Sequence, residues 1–342
     1  MKYLKIFVLL HIRILFLSCC LLLFACATCS IDAKIVFVVD DDIYVMNDDG
    51  TNRRRLTRNT VSQDTLPRWS PDGKRIAFIR QMIKFAQHTD ELFVMNADGT
   101  DLQRLTHDKI SDSYPSWSPD GKKIAFRSQR SGDSEVHVID LETLAVTRLT
   151  GVEGEHGSTA PDWSPDGTQI VYEKFGPGGH KDIFLMSANG EDQHPLFPDP
   201  QRDAGTISLK FHPRWSSDGQ RIVFFTWKSK QRIGQLIVAQ LGGEGQEITA
   251  IDKRFGGSNW QIAVADWMDN DRAMVFALRK MVPPNARIYN LYKYEFKTRR
   301  IKQLTRDTRD EKYPDWIADQ LSVSPKDKLP TQLGEKKQDL SQ

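Results

Sequence analysis

Apolar residues of this chain fall in short clusters from about residue 34 to residue 317, and polar, turn-forming residues separate the clusters. Typical clusters are Ile35 to Val39 and Ile124 to Phe126, which are rich in β-branched and aromatic residues. No long segment places apolar residues three or four positions apart, as an amphipathic helix requires. The pattern therefore predicts an all-β chain built from short strands.

One stretch, Tyr114 to Phe126 (YPSWSPDGKKIAF), recurs along this region. Its apolar ends flank Ser118-Pro119-Asp120-Gly121, in which proline, aspartate and glycine suit successive positions of a reverse turn. Each copy thus predicts a hairpin, and a tryptophan closes its first strand. Tryptophans mark six copies, two of them degenerate, at intervals of 46 to 52 residues: Trp69, Trp117, Trp163, Trp215, Trp267 and Trp316.

Three further strand signals follow each of the first five tryptophan strands, so the repeating unit is a four-stranded meander. Dipeptides such as Asp98-Gly99 predict a type I′ turn before the fourth strand, which often ends in Leu-Thr. Long loops are expected between the second and third strands, as at Arg80 to Asp90, and between units. Six such sheets predict a six-bladed β-propeller of four-stranded antiparallel blades.

The two ends of the chain predict how the propeller closes. The first three strand signals, within 34–57, have no tryptophan strand before them, and the strand at 313–317 has no trio after it. We therefore expect one blade shared between the N- and C-termini, with residues 30–321 forming the propeller. The polar stretch 322–342 is predicted to be a flexible tail.

Residues 1–29 have the features of a signal peptide. The cations Lys2, Lys5 and Arg13 precede or flank an apolar run that ends at Ala25, and no acidic residue occurs. The run is short for a membrane-spanning helix. Leu23 to Cys26 also resembles a lipoprotein cleavage box, which makes Cys26 a lipidation candidate, while cleavage after Ala27 is the alternative. The chain is therefore expected to be periplasmic or anchored to the outer membrane.

All four cysteines lie in this leader, so the remainder of the chain has no disulfide and no thiolate metal site. The formal net charge is +2, and loss of the three leader cations leaves −1. This balance gives no reason to expect nucleic-acid binding. We predict a monomer that contacts a membrane only through an N-terminal lipid.

The tryptophan and Ser-Pro-Asp-Gly repeats resemble the WD40-like propeller repeats of the TolB family across about residues 34 to 320. TolB is the periplasmic component of the Tol-Pal envelope system, so the resemblance implies an exported β-propeller that binds proteins. The separate α/β domain that precedes the propeller in TolB has no counterpart between the leader and the first strand. The resemblance therefore extends to the propeller and its binding habit only, and not to the part that engages TolA.

Two groups of residues are candidates for binding. The residue before each tryptophan lies on the innermost strand and is expected either to ring the central channel or to link neighbouring blades. The long loops carry a basic set, expected either to bind an acidic partner or to be ordinary solvated charge. The candidates are Arg68, Asp162, Arg214, Asp266 and Asp315 in the first group, and Lys228, Lys230, Arg232, Lys253, Arg254, Arg279, Lys280 and Arg287 in the second.

Catalytic signals are weak. There is no Gly-x-Ser-x-Gly or His-Glu-x-x-His motif, so we predict no catalytic residue, no cofactor and no metal. His88, His156, His180 and His212 are scattered, and their meeting as metal ligands stays an open alternative. The predicted function is a non-catalytic scaffold for an envelope protein partner. The alternatives are a polysaccharide lyase or glycosidase working in the channel, and a small-molecule sensor.

Overall fold

The structure is a computed structural model that describes residues 35–58, 62–84, 87–151, 157–197, 208–228, 233–242, 245–247, 260–280 and 288–318. These residues form 24 β-strands and one 3-10 turn, Pro177–Gly179. The prediction of an all-β chain is confirmed. Within the described part of the chain, no helix has the length and apolar character needed to span a bilayer. The leader, Cys26 and the tail lie outside the described residues.

The strands pair as four-stranded antiparallel sheets, numbered here by the order of their tryptophan strands. Sheet 1 contains β4 (Gln63–Trp69), β5 (Arg75–Lys84), β6 (Gln87–Asn96) and β7 (Gln103–Arg104). Sheet 2 contains β8 (Asp112–Trp117), β9 (Lys123–Ser131), β10 (Asp133–Asp140) and β11 (Val146–Arg148). Sheet 3 contains β12 (Ser158–Trp163), β13 (Gln169–Phe175), β14 (Lys181–Ser187) and β15 (His194–Pro195).

Sheets 3 and 4 are joined by one parallel pairing, between Lys181 and Leu209. Sheet 4 contains β16 (Ser208–Trp215), β17 (Arg221–Lys228), β18 (Ile233–Gln240) and β19 (Gly245–Glu247). Sheet 5 contains β20 (Trp260–Met268), β21 (Ala273–Lys280), β22 (Tyr289–Glu295) and β23 (Arg300–Gln303). Sheet 6 combines β24 (Glu311–Trp316) with β1 (Ile35–Val39), β2 (Asp42–Met46) and β3 (Arg54–Arg55).

The Ser-Pro-Asp-Gly segments are the predicted turns. In sheet 2 the Gly121 amide donates to the Ser118 carbonyl at 2.9 Å, and Gly121 takes a positive φ of 67°. The Ser118 hydroxyl donates to Asp120 at 2.6 Å and accepts the Lys123 amide at 2.9 Å. Serine and aspartate therefore hold the turn closed, which explains why they accompany proline and glycine in the repeat.

The Asp-Gly segments turn differently from the prediction. Positive φ occurs at the glycine, the last residue of each turn, whereas a type I′ turn needs positive φ at both central residues. The glycine also packs closely on the neighbouring sheet: a Cβ at Gly190 would lie 2.8 Å from the Leu149 carbonyl oxygen. Glycine is thus required here for both conformation and close approach.

The recurring Leu-Thr ending has a hydrogen-bonding role. The Thr106 hydroxyl accepts the Leu92 amide at 2.9 Å and donates to the buried Glu91 carboxylate at 3.0 Å. It thereby satisfies a backbone donor where the short β7 ends. Equivalent threonine–amide bonds join Thr57 to Ile43, Thr150 to Val136 and Thr305 to Leu291.

The prediction of a long loop from Arg80 to Asp90 is wrong, because β5 and β6 pair as far as Lys84 and Gln87. Backbone ladder bonds do not depend on the side chains, so a segment of mixed polarity can extend a hairpin. Arg80 in this extension is held by Asp64 on β4 through two hydrogen bonds of 2.6 and 2.8 Å.

The core lies between neighbouring sheets, where the tryptophans pack. Trp117 belongs to a buried cluster with Ile79 and Leu92 of sheet 1 and Phe126 of sheet 2. Five of the six tryptophans expose only 4 to 9% of their surface, so they are core residues.

Candidate functional site

Each innermost strand carries a β-bulge three residues before its tryptophan, where the register with the second strand shifts. In five of the six strands a non-glycine residue there takes positive φ and a proline follows it. These residues are Leu66 (53°), Tyr114 (54°), Ala160 (47°), His212 (51°) and Tyr313 (52°). A bulge re-aims the side chain that it carries, so these positions do not follow the strand's alternation.

Bulge residues surround a cavity of about 250 Å³, a volume that includes its open mouth. Two arginines, Arg68 and Arg214, line the cavity. The rest of its wall is apolar or aromatic and consists of Leu66, Pro67, Tyr114, Pro115, Val264, Tyr313 and Pro314. The innermost strands run from this end towards their Ser-Pro-Asp-Gly turns. The cavity therefore opens on the side where connections between sheets enter, and we call it the channel mouth.

Next to the channel mouth lies the central cluster, formed by the residue before each tryptophan: Arg68, Ser116, Asp162, Arg214, Asp266 and Asp315. The structure brings all five charged members of the predicted group together. Arg68 bridges two sheets, with its guanidinium nitrogens 2.7 Å from Asp315 and 3.0 Å from Asp162. Both carboxylates are buried, so these pairs are shielded from solvent.

The same cluster ties each sheet to the next. At four junctions the backbone amide of the tryptophan donates to a side chain of the central cluster on the preceding sheet. The pairs are Trp69 to Asp315 (2.7 Å), Trp163 to Ser116 (3.3 Å), Trp215 to Asp162 (2.9 Å) and Trp316 to Asp266 (2.9 Å). Where the preceding member is an arginine, which cannot accept, the indole Nε1 donates to the arginine carbonyl instead. This occurs from Trp117 to Arg68 at 3.1 Å and from Trp267 to Arg214 at 3.0 Å. A linking role for these positions is therefore present at all six junctions.

The two arginines differ in how well they are paired. Arg214 is 4% exposed, its nearest carboxylate oxygen, on Asp162, lies 3.8 Å away, and one terminal nitrogen donates to the Pro213 carbonyl at 3.0 Å. Its Nε has no hydrogen-bond partner. Burial and the like charge of Arg68 hold the pKa of Arg214 below its ordinary value. Burial also acts on Arg68, but Asp315 and Asp162 outweigh it and raise that pKa.

Asp266 carries a strongly perturbed carboxylate in the central cluster. Burial and the charge of Asp315 raise its pKa to about 7, although Arg68 and Arg214 act in the opposite direction. The pKa of Asp315 is raised as well, through burial. A proton on Asp266 at neutral pH relieves the excess of three carboxylates over two guanidinium groups.

One wall of the channel mouth rests on a second polar group. The buried Glu173 accepts the His212 amide and the Lys181 ammonium, both at 2.7 Å. Tyr114 packs on the His212 ring with 5.4 Å between ring centroids. Burial lowers the pKa of His212 to about 4, so its imidazole is neutral at pH 7. These contacts fix the orientation of Tyr114 in the wall.

Among the described residues, the acidic group with metal-ligand spacing is Glu91, Asp108 and Asp112. Arginines already pair with all three carboxylates: Arg104 lies 2.7 Å from Glu91, and Arg130 lies 3.3 and 3.1 Å from Asp108 and Asp112. The group contains no histidine. Its arrangement is that of structural ion pairs between strands.

Most residues of the basic set lie outside the part of the chain that the structure describes. Lys230, Arg232, Lys253, Arg254 and Arg287 lie outside the described residues, and the side chains of Lys228 and Lys280 are not described. The remaining member, Arg279, is half-buried. It donates to Gln261 and lies over the Tyr289 ring at 4.9 Å, so it is engaged within sheet 5.

Comparison with known proteins identifies the fold. A family model described as the Tricorn protease N-terminal beta propeller domain matches residues 80–327, more than half of the chain. The chain belongs to this family. A comparison with curated protein sequences finds no match.

Solved structures agree with this assignment. TolB from Acinetobacter baumannii is similar over 83% of this chain and 66% of its own, with a TM-score of 0.68 and 18% identity. A putative TolB from Agrobacterium tumefaciens matches 62% of this chain and 76% of its own, with a TM-score of 0.52 and 18% identity. An oligogalacturonate lyase in complex with manganese matches 80% of this chain and 74% of its own, with a TM-score of 0.54 and 13% identity. The chain thus spans just under two thirds of the Acinetobacter TolB chain, and the predicted TolB-like β-propeller fold is confirmed.

Proposed function

We propose that this protein is an exported, non-catalytic scaffold that binds a protein partner at the channel mouth. The carrying observation is the composition of that mouth: two tyrosines, an apolar rim and a buried arginine surround a small central recess. Tyrosine and arginine dominate the energetics of protein interfaces when they surround such a recess. Bulges and prolines hold this surface rigid, which lowers the entropic cost of binding.

We further infer that the sheets are six blades of a closed ring. Two observations support closure. Sheet 6 joins both ends of the described chain, with Trp316 of β24 opposite Ile35 of β1. The hydrogen bonds of the central cluster also run from each sheet to the next, including the step from Trp69 back to Asp315. Closure leaves only the short outermost strands as sheet edges and fixes the rim geometry.

A protein partner is favoured over a substrate by the size and chemistry of the recess. Its 250 Å³ includes open solvent at the mouth, so the enclosed space is far smaller than the roughly 300 to 1,000 Å³ typical of small-molecule sites. A glycosidase needs a pair of carboxylates facing the channel, and the candidates are Asp162, Asp266 and Asp315. Each of them accepts a tryptophan amide, which commits it to the fold. Similarity to an oligogalacturonate lyase keeps a glycan-active enzyme as the second candidate.

Export follows from the leader. A basic, acid-free segment followed by an apolar run is a secretion signal, and a lipid on Cys26 would hold the propeller at a membrane surface. We therefore place the protein in the periplasm or at the outer membrane. Mass analysis of the mature N-terminus distinguishes an acylated Cys26 from cleavage after Ala27.

The test is affinity capture from envelope extract with the predicted mature chain, residues 30–342. The binding variant is the Tyr114→Ala/Tyr313→Ala double substitution, and the matched control is Arg148→Gln, on the exposed outer strand β11. The proposal expects one protein that wild type and control retain and the double variant loses. Capture that the double variant retains, or no capture together with cleavage of an anionic polysaccharide by the purified chain, would refute it.

A further inference from the structure

The chain enters its first strand on the side opposite the channel mouth. β24 runs from the channel mouth towards Trp316, and Ile35 at the start of β1 is the antiparallel partner of Trp316. Ile35 therefore lies at the end of the sheets where the innermost strands of sheets 1 to 3 reach their Ser-Pro-Asp-Gly turns. We call this end the turn side. Cys26 precedes Ile35 by nine residues, which span at most about 30 Å, so a lipid on Cys26 would hold the turn side near a bilayer.

Exposed apolar side chains occur on the turn side as well. Among the described residues, four large apolar side chains are exposed, and two of them, Leu102 (47%) and Leu144 (52%), lie between the third and fourth strands of sheets 1 and 2. The second of these turns packs beside a Ser-Pro-Asp-Gly segment, because the Leu141 amide donates to the Lys122 carbonyl at 2.9 Å. The two leucines therefore lie on the same side as the start of β1.

The fold does not require a leucine at position 144. Leu144 takes a positive φ of 57°, a conformation that glycine, asparagine and aspartate adopt at lower cost. The corresponding turn of sheet 5 also joins the third and fourth strands, and its residue with positive φ is the exposed Arg299. A polar side chain therefore serves such a turn, and an exposed leucine there indicates a contact with something outside the chain.

The position of the tether decides what that contact is. A surface held within about 30 Å of a bilayer meets lipid at a high effective concentration, which favours lipid over a free protein. The charges on this side are mixed, with the exposed cations Lys74, Lys122 and Lys123 set among exposed acids such as Asp101 and Glu142. Attraction to anionic headgroups is therefore not the driving force, and the apolar side chains supply the contact.

We propose that the turn side rests on the membrane, with Leu102 and Leu144 inserted at the boundary between headgroups and acyl chains; this rests on the export and the acylation of Cys26 proposed above. The lipid supplies the attachment, and the leucines fix which side of the propeller faces the bilayer. Membrane contact thus extends beyond the lipid alone. The channel mouth, at the other end of the innermost strands, points away from the bilayer and is open to a protein partner.

The test is fluorescence quenching by lipid on the acylated mature protein. Cys29, the other cysteine that follows the cleavage box, is replaced by serine, and a fluorophore is attached to Glu142→Cys or, separately, to Asp133→Cys. Both positions are exposed on sheet 2, the first on the turn side and the second at the opposite end. The protein is reconstituted on vesicles of phosphatidylethanolamine, with and without phosphatidylglycerol, that carry a spin-labelled lipid as quencher.

We expect quenching at position 142 and little at position 133, with or without phosphatidylglycerol. Leu102→Asn/Leu144→Asn should shift the equilibrium between membrane-facing and free orientations at least about 10-fold towards the free one, which removes most of the quenching. Asparagine tolerates positive φ, so the turn should still form. The matched control is Ile288→Asn, which removes an exposed apolar residue before β22 on the opposite side and should leave the quenching unchanged.

Three results would overturn the inference: equal quenching at both positions, quenching at position 142 that the double leucine variant retains, or no quenching there, as a second copy covering the leucines would give. A mature N-terminus without an acyl group would overturn it too. The scaffold function is judged separately by envelope capture, which would stand in each of these cases if the partner were still retained. Failure of capture with position 142 still quenched would refute the scaffold and leave the orientation.

Discussion

Replacement of Asp162 by alanine should be among the most destabilising single changes in this protein. Its Oδ1 accepts from Arg68 at 3.0 Å and from Ser116 at 3.1 Å, and its Oδ2 accepts the Trp215 amide at 2.9 Å. These donors belong to sheets 1, 2 and 4, whereas Asp162 lies on sheet 3. One side chain therefore joins four sheets.

The magnitude follows from what the substitution leaves behind. The Trp215 amide loses its acceptor, which costs about 1 to 3 kcal/mol for a buried donor. Arg68 loses one of two carboxylates, and breaking a buried ion pair costs about 3 to 5 kcal/mol. The terms are not additive, and Arg68 keeps Asp315 at 2.7 Å, so we expect a total loss of about 3 to 5 kcal/mol.

Urea unfolding followed by tryptophan fluorescence measures this loss. Asp162→Asn keeps an acceptor for the Trp215 amide while removing the charge, so it should fall between wild type and Asp162→Ala. Exposed Arg148→Ala should change the free energy of unfolding by less than about 0.5 kcal/mol. A loss below about 1 kcal/mol for Asp162→Ala would show that the central cluster does not hold the sheets together.

Three other predictions concern separate features. Because the pKa of Asp266 is raised to about 7, the folded state binds more protons than the unfolded state from about pH 4 to 7. The contribution of Asp266 to stability therefore falls as pH rises through that window. The melting temperature should drop from pH 5 to 8, and it should drop less in Asp266→Asn. Thr106→Val should cost about 1 to 3 kcal/mol in urea unfolding because the Leu92 amide loses its acceptor, whereas Thr106→Ser should restore most of the loss. Gly190→Ala should destabilise more than Gly132→Ala: both have positive φ, but a Cβ at Gly190 meets a carbonyl oxygen at 2.8 Å and one at Gly132 meets nothing within 4 Å. Equal effects of the two alanines, or a neutral Thr106→Val, would contradict the contacts assigned here.

The fold was predictable because its signals are local. Ser118 to Gly121 closes a turn through hydrogen bonds within that segment. The tryptophan strand before this turn recurs six times at regular spacing, so the repeat unit can be recognised from the sequence. The register of the innermost strand also placed the residue before each tryptophan correctly, so the charged group around Arg68 was found. The repeat predicts that these charged residues lie close together, because they occupy the same position of each unit. It does not predict which arginine pairs with which aspartate.

The channel mouth was harder to predict because it depends on bulges. A residue before proline is ordinarily extended, yet Tyr114 and Tyr313 take positive φ and line the cavity. Proline two positions before the tryptophan, as at Pro115, was the available sign of an irregular strand. The unequal pairing of Arg68 and Arg214 required distances, since both occupy the same position of the repeat.

Site-specific photo-crosslinking in cells of the source organism tests the central claim most directly. A photoreactive phenylalanine analogue would replace Tyr313, in the wall of the channel mouth, and separately Lys122, an exposed residue at a Ser-Pro-Asp-Gly turn on the opposite side. The scaffold account predicts that light yields a defined adduct with one envelope protein from position 313 and none from position 122. An adduct from position 122 alone, or no protein adduct from position 313, would contradict it.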